Sequence, residues 1–504
     1  MSAILVISIL LAYFLLLIGI SHFTTINNNS SSFFTGDKRS PWYLVAFGMT
    51  GASLSGVTFI SVPGETANTG WSYLIFVIGN AVGYLIISKV LLPVYYKLKL
   101  VSIYTYLEGR FGKKTYKTGS CFFIISQTIG ASFRLFLVTS VLQLAFFDVY
   151  NIPFGITVLI IIFMIWIYTF KGGIRTIVFT DTIQTIFMLS ALAVTIITIS
   201  QQLDLNFGEI SNKIWLNPKS KILDVDWSSS HFWLKHFFAG IAITIVMNGL
   251  DQNMMQKNLS CRNIKESQKN MKFFTLSFVL TNFLFLCLGV LLYLYAKSKG
   301  IELPNKTDEV FAFLALNHFG TIASIFFLLG ITAAAYSSVD SALTALTTSF
   351  CIDLLEIDIK DKSKKKIKTR THIAFSIIMF LVIILFREIN NDSVVSSILT
   401  IAGYTYGPLL GLYAFGLFTK HKIIDKYTPI VCIVSPILCY IINIYSVQWF
   451  GGYKFGFELL ILNGIITFVG LLITKNNNQD NEANNITDNT SNTKPIFFCS
   501  KISH

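Results

Sequence analysis

Asp340 stands in ITAAAYSSVDSALTALTTSF, a run of apolar and hydroxyl residues with no other charge. On a helix, Ala334, Ser337, Ser341, Thr344 and Thr348 share one face, with Asp340 beside the stripe and Ser338 on its border. Hydroxyls alone could bond back to their own helix or join neighbouring helices. A carboxylate among them is poorly explained in that way. Several oxygens around a negative charge suit a hard cation such as Na+ better than a soft metal. A second carboxylate, Asp181, lies in GGIRTIVFTDTIQTIFML, with Thr180 adjacent and Gln184 one turn on. Arg134 sits near the middle of its own apolar run, around SFRLFLV, and Asp251 lies in MNGLDQNMMQK. Inside a lipid-spanning helix each ionised side chain costs about 2.5–3.5 kcal/mol and must meet a partner or a ligand. Asp181 could pair with Arg134 for structure alone. Arg134 could equally bind an anionic solute, or be neutralised by Asp251.

These residues need a scaffold, and the bulk composition says which kind. Of 504 residues, 53% are hydrophobic and 13% charged, where a soluble globule carries about 25% charged residues. Apolar runs of about 20 residues, the span of a membrane helix, recur along most of the chain. The expected fold class is an all-α polytopic membrane protein with about thirteen transmembrane helices. The spans fall near 3–22, 43–64, 72–94, 118–147, 152–170, 176–200, 233–256, 272–296, 320–351, 372–387, 394–418, 427–447 and 455–474. The first has no basic leader and no small-residue cleavage pattern, so it reads as a helix rather than a signal peptide.

Every second loop is basic. Lys38 and Arg39 follow the first span, and Lys257, Arg262, Lys265 and Lys269 follow the seventh. This is the positive-inside pattern; it puts the amino terminus outside and the carboxyl terminus in the cytoplasm of a cell bounded by a plasma (inner) membrane. The net charge of +13 thus reflects sidedness in a lipid bilayer and gives no case for nucleic acid. Residues 476–504, rich in Asn, are expected to form a disordered cytoplasmic tail. The seven cysteines, Cys121, Cys261, Cys287, Cys351, Cys432, Cys439 and Cys499, form no CxxC pair. They suggest neither a disulfide framework nor a metal site. No nucleophile elbow, phosphate loop or His/Cys metal set points to an enzyme, and no obligate protein partner is evident.

Two spans carry interruptions. GMTGASLSGVTFISVPG, 48–64, is rich in Gly and Ser and ends at Pro63; MNGLDQNMMQK, 247–257, places Asn, Gly and Asp in another. Unwound backbone at membrane depth is tolerated where it lines a cavity, and its freed carbonyls can hold Na+. Corresponding breaks in two halves of a chain point to the binding site of an inverted-repeat transporter.

Four stretches then converge on a family. GGIRTIVFTDTIQTIFM, AAYSSVDSALTALTTSFCIDLL, DQNMMQKNLSCRN and YGPLLGLYAFGLFTK resemble, in the right order, motifs of the sodium:solute symporter family. The family takes in symporters for sugars, proline, pantothenate, iodide, monocarboxylates and sialic acids. The resemblance covers roughly residues 1–475, which would form one transmembrane domain. It implies a leucine-transporter-like fold of two inverted five-helix repeats, about 43–200 and 233–418, with flanking helices. It also implies a main sodium site made of the Gly51 and Leu54 carbonyls with Ala334, Ser337 and Ser338. Glycine at 51 in place of the family's alanine is expected to be harmless, since only a carbonyl is used. A second Na+ would take Asp181, Ser337 and Ser341, with Asp340 where such members often have Ser. Ser55, Thr58, Asn80, Arg134 and Asp251 fall at solute-pocket positions. Arg134 matches an arginine that binds carboxylate in sialic-acid members. The expected function is Na+-coupled import of a small polar organic solute, acidic or polyhydroxylated. Alternatives are a sodium-linked sensor, a symporter for a neutral amino acid or vitamin, and a passive channel.

Overall fold

A computed structural model describes residues 3–25, 40–357, 365–389 and 394–475. The expected tail, 476–504, and Cys499 lie outside the described residues, as do Lys38 and Arg39. With no water in a bilayer core, every backbone polar group must be satisfied within its own segment, and helices do this locally. The described chain is accordingly built of helices.

The long elements are α1 (Ala3–Thr25), α2 (Trp42–Ser53), α3 (Val57–Thr69), α4 (Ser72–Lys97), α5 (Lys113–Tyr150), α6 (Phe154–Gln202), α7 (Trp233–Gly249) and α8 (Gln252–Leu259). They continue with α9 (Ile264–Lys299), α10 (Gly320–Leu354), α11 (Lys366–Ile389), α12 (Val394–Thr405), α13 (Gly407–Phe418), α14 (Asp425–Trp449) and α15 (Leu459–Ile473). Among the described residues, eight helices are long and apolar enough to cross a membrane, or up to eleven if each bent pair counts as one span. Two shorter apolar helices, Phe154–Ile167 and Leu459–Ile473, add to these. The spans expected at 152–170 and 176–200 are joined without a helical break in α6.

Position in the bundle separates two kinds of helix. On α14, Ile430, Ile433, Val434, Ile437, Leu438, Ile441 and Ile444 are exposed, as are Ile7, Leu11 and Leu15 on α1. Faces so apolar fit lipid and not water. By contrast α10 packs against α6 and α5, and every residue from Gly330 to Ser349 is buried. Its polar side chains must therefore find protein partners or a ligand on all sides, and not only along one stripe.

Three helix pairs bend sharply: α2 to α3 by 61°, α7 to α8 by 65° and α12 to α13 by 47°. The first two are the expected interruptions. In the first, Leu54 leaves the helical region (φ −78°, ψ 63°) and the chain resumes with a wide turn at Val57–Ser61. Pro63 does not end this span. It sits in the first turn of Val62–Thr69, where no backbone donor is needed. In the second, Asp251 is extended (φ −106°, ψ 122°) before helix resumes at Gln252. The third break, at Tyr406 and ahead of Pro408, lies in a stretch that reads as one span.

Candidate ion and solute site

The first break is held against α6 by close approach. A Cβ placed on Gly51 would lie 2.0 Å from Thr185 Oγ1 and 3.0 Å from the Asp181 carbonyl. Thr185 Oγ1 lies 3.0 Å from the Phe47 carbonyl and 2.7 Å from that of Asp181, which stitches the two helices together. Glycine at 51 is therefore required by packing. The expectation that glycine is harmless at this position is not contradicted; the packing adds that a methyl there would press on Thr185 and the Asp181 carbonyl.

The last carbonyls of a helix have no intrahelical partner, and Gly51 lies in the last turn of α2 with Leu54 as its cap. The Leu54 N–H donates to the Thr50 carbonyl at 2.8 Å. Ala52, Ser53, Ser55 and Thr58 from this break line a cavity of about 130 Å³ together with Ser338 of α10. The broken helix and Ser338, at the border of the hydroxyl stripe, thus face one space.

The stripe divides into two classes. Thr347 donates to the Leu343 carbonyl and Thr348 to the Thr344 carbonyl, both at 2.7 Å, so these hydroxyls bond back to their helix. Ser338 Oγ, Ser341 Oγ and Thr344 Oγ1 are buried without a hydrogen-bond partner. Leaving one such group unsatisfied costs about 1–3 kcal/mol. Orphaned hydroxyl oxygens are the kind of donor that suits a hard, oxygen-seeking cation, and of the expected main-site residues Ser338 lines the cavity. Ser337 is committed elsewhere: it donates to Asp181 Oδ1 at 2.9 Å.

Sequence leaves Asp181 two roles, a second Na+ site or a structural pair with Arg134, and the structure decides against the pair. It is not paired with Arg134. Its Oδ2 accepts from Lys257 Nζ at 2.7 Å, and the side chains of Lys257 and Asp181 are 1% and 0% exposed. Lys257 reads from sequence as a loop residue of the basic side, yet all eight residues of α8, QNMMQKNL, are buried. The lysine stood in the DQNMMQK stretch, but nothing in sequence names a partner 76 residues away. Asp340, fully buried, accepts from the backbone amide of Ser341 on its own helix.

The five solute-pocket residues meet. Ser55, Thr58, Asn80, Arg134 and Asp251 all line the cavity that Ser338 faces. Asn80 is partly committed. With its amide nitrogen turned to the available acceptors it donates to Gly240 O at 2.8 Å, Thr244 Oγ1 at 3.0 Å and Phe76 O at 3.2 Å, joining α4 to α7. Asp251 is structural in part. It caps α8 by accepting from Met254 N at 3.2 Å, and it accepts from Tyr406 Oη at 2.8 Å. Among the described residues no carboxylate lies within ion-pair distance of Arg134, so Asp251 does not neutralise it by contact. Sequence reasoning missed Tyr406 and Gln127, which lie in hydrogen-bonding reach of each other at 3.5 Å. Tyr406 stands in the YGPLLG stretch, which was read for its Pro and Gly alone. A wider cavity of about 630 Å³, lined among others by Glu65, Asp148, Asp308, Arg387 and Val394, meets the other face of α12.

Known proteins place this geometry. The model of the sodium:solute symporter family matches residues 33–423. The chain is 25% identical over 418 residues to the sodium/sialic acid symporter NanT of Aliivibrio fischeri, covering 79% of this chain and 80% of that protein. It is 23% identical over 421 residues to the sodium/sialic acid symporter SiaT of Proteus mirabilis, covering 81% and 82%. In three dimensions it resembles the substrate-bound outward-open state of a Na+-coupled sialic acid symporter, with a TM-score of 0.80 at 20% identity over 93% of this chain and 97% of the other. Two bent helices, a central helix rich in hydroxyls and a family match over most of its length agree: the chain belongs to the sodium:solute symporter family.

Proposed function

We propose that this Na+-coupled symporter carries a small solute bearing a carboxylate, with Na+ held between the first break and α10. Membership of the family makes it a multi-pass membrane symporter of Na+ and a small solute, not an enzyme. The observation that carries the solute class is Arg134: it lines the cavity and has no carboxylate within ion-pair distance among the described residues. A guanidinium at membrane depth needs an anionic or carbonyl partner, and its planar fork suits a carboxylate. Ser55, Thr58 and Gln127 would meet hydroxyls of the solute. Sialic acids, named for two relatives, are both acidic and polyhydroxylated.

Na+ would take the Gly51 and Leu54 carbonyls and the Ser338 hydroxyl, with Ala334 and Ser337 beside them. Bridging α10 to the broken helix would hold the pocket in shape; the solute then favours closure, and inward opening loosens the ion's ligands. The basic loops orient the amino terminus outward and the carboxyl terminus toward the cytoplasm, which makes the wider cavity an outer vestibule and the direction uptake. One charge moving through 100 mV supplies about 2.3 kcal/mol to this work.

A thermal-shift screen of purified protein against sialic acids, monocarboxylates, sugars and neutral amino acids, with and without Na+, tests the reading. A shift for carboxylates that appears only with Na+ and is lost in Arg134→Ala supports it. A shift for neutral sugars that survives Arg134→Ala contradicts it.

A further inference from the structure

We propose that the Lys257 ammonium is a built-in cation standing where a second Na+ would bind, so that this chain takes up a single Na+ per cycle. The inference rests on the Na+-symport reading above.

Both oxygens of Asp181 are taken, Oδ2 by Lys257 Nζ at 2.7 Å and Oδ1 by Ser337 Oγ at 2.9 Å. A Na+ seeking Asp181 would have to share one carboxylate with a fixed positive charge in contact with it. The other carboxylate expected there, Asp340, accepts from its own helix at Ser341 N, while the lysine contacts Asp181.

The lysine is delivered by a fixed element. Asp251 caps α8 through Met254 N at 3.2 Å. Gln252 accepts from Ile103 N at 3.0 Å and donates to the Val101 carbonyl at 2.9 Å. Asn258 donates to the Met254 carbonyl at 3.1 Å and accepts from Asn270 Nδ2 at 2.8 Å. With both its flanks tied, α8 holds the ammonium among α6 and α10 as a tethered counter-ion. Such a cation neutralises Asp181 in every cycle but never leaves, so it draws nothing from the Na+ gradient. The Ser338 hydroxyl, buried without a partner, and the carbonyls of the first break stay available to one mobile ion.

Equilibrium binding of radioactive Na+ alone to the purified full chain tests this. The wild type is expected to bind one Na+ per chain. Lys257→Met is expected to bind two, because Asp181, Ser337 and the unpartnered Ser341 hydroxyl are released to an ion. Lys257→Arg, which keeps the charge, and the double variant Lys257→Met/Asp181→Asn are both expected to bind one. Two ions in the wild type, or one in a monodisperse Lys257→Met, overturns the proposal. Should Lys257→Met fail to fold, the wild type and Lys257→Arg decide: one ion in each supports it, and two in either overturns it. No Na+ bound by the wild type overturns the symport reading itself, and the proposal with it.

Discussion

The two interrupted helices bend by nearly the same angle, 61° and 65°, and settle their freed backbone in opposite ways. At the second break the protein supplies the partners. Tyr95 Oη donates to the Gly249 carbonyl and Tyr104 Oη to the Leu250 carbonyl, both at 2.8 Å, while Asp251 caps the next helix and is itself held by Tyr406. Among the described residues no tyrosine donates to the carbonyls of the first break. Its neighbour α10 instead presents Ser338, Ser341 and Thr344 hydroxyls that are buried and unpartnered. Buried polar groups are normally paired, so an accounting that closes at one break and stays open at the other says where a ligand belongs. Both breaks contribute residues to the cavity, but on the proposed reading the ion belongs to the first.

The largest expected effect lies between the two, at the ion pair that ties α8 to α6. Lys257→Met leaves Asp181 buried without its partner, and breaking a buried pair in this way costs about 3–5 kcal/mol. Thermal unfolding in detergent without Na+ is expected to show this loss, and added Na+ to recover part of it, more steeply than in the wild type. The reason is Coulombic: two unit charges about 4 Å apart interact by roughly 4 kcal/mol at a protein-like dielectric. On the proposed reading Asp181 keeps one cation or exchanges it for another.

Gly51→Ala is next. The new methyl meets Thr185 Oγ1 and the Asp181 carbonyl, and overpacking of this kind costs about 1–3 kcal/mol. Stability and Na+ affinity are expected to fall together, because the first break is both packed and functional. Unchanged melting in Gly51→Ala would show that α2 and α6 are not in close contact.

Ser338→Ala sharpens the contrast. It removes an oxygen that no protein group satisfies, so stability without Na+ is expected to stay level or rise slightly, while Na+ affinity falls about tenfold, or roughly 1.4 kcal/mol. Tyr406→Phe at the second break should do the reverse. It loses about 1 kcal/mol of stability and leaves Na+ affinity unchanged. A Tyr406→Phe variant that loses Na+ affinity as Ser338→Ala does would erase the distinction between the breaks.

Much of this site is legible in the sequence because its signals are local. Gly and Ser in 48–56, and hydroxyls with a carboxylate in 334–348, are out of place in a lipid-spanning run, and the chain does bring Ser55, Thr58, Asn80, Arg134, Asp251 and Ser338 to one cavity. The chief miss is non-local. Lys257 follows an apolar run and is followed by Arg262 and Lys265, the ordinary signature of a basic loop. Tertiary ties, among them those from residues 96, 101–103, 181 and 270, allow QNMMQKNL to be buried. Gly51 was read for its carbonyl, whereas the helix packed behind it sets its identity. Asp251 lines the cavity and also caps the helix that resumes one residue on, a role its position next to QNMMQKNL makes local. Periodicity reports which face of a helix is polar. It does not report that α10 has no solvent or lipid face between Gly330 and Ser349.

Hydrogen–deuterium exchange of the purified chain with and without Na+ tests the central claim most directly, since it reads both breaks in one experiment. Na+ is expected to slow exchange in peptides covering 50–58 and 334–341 while leaving 248–254 unchanged. Equal protection at both breaks, or none at 50–58, would contradict the assignment of the ion to the first.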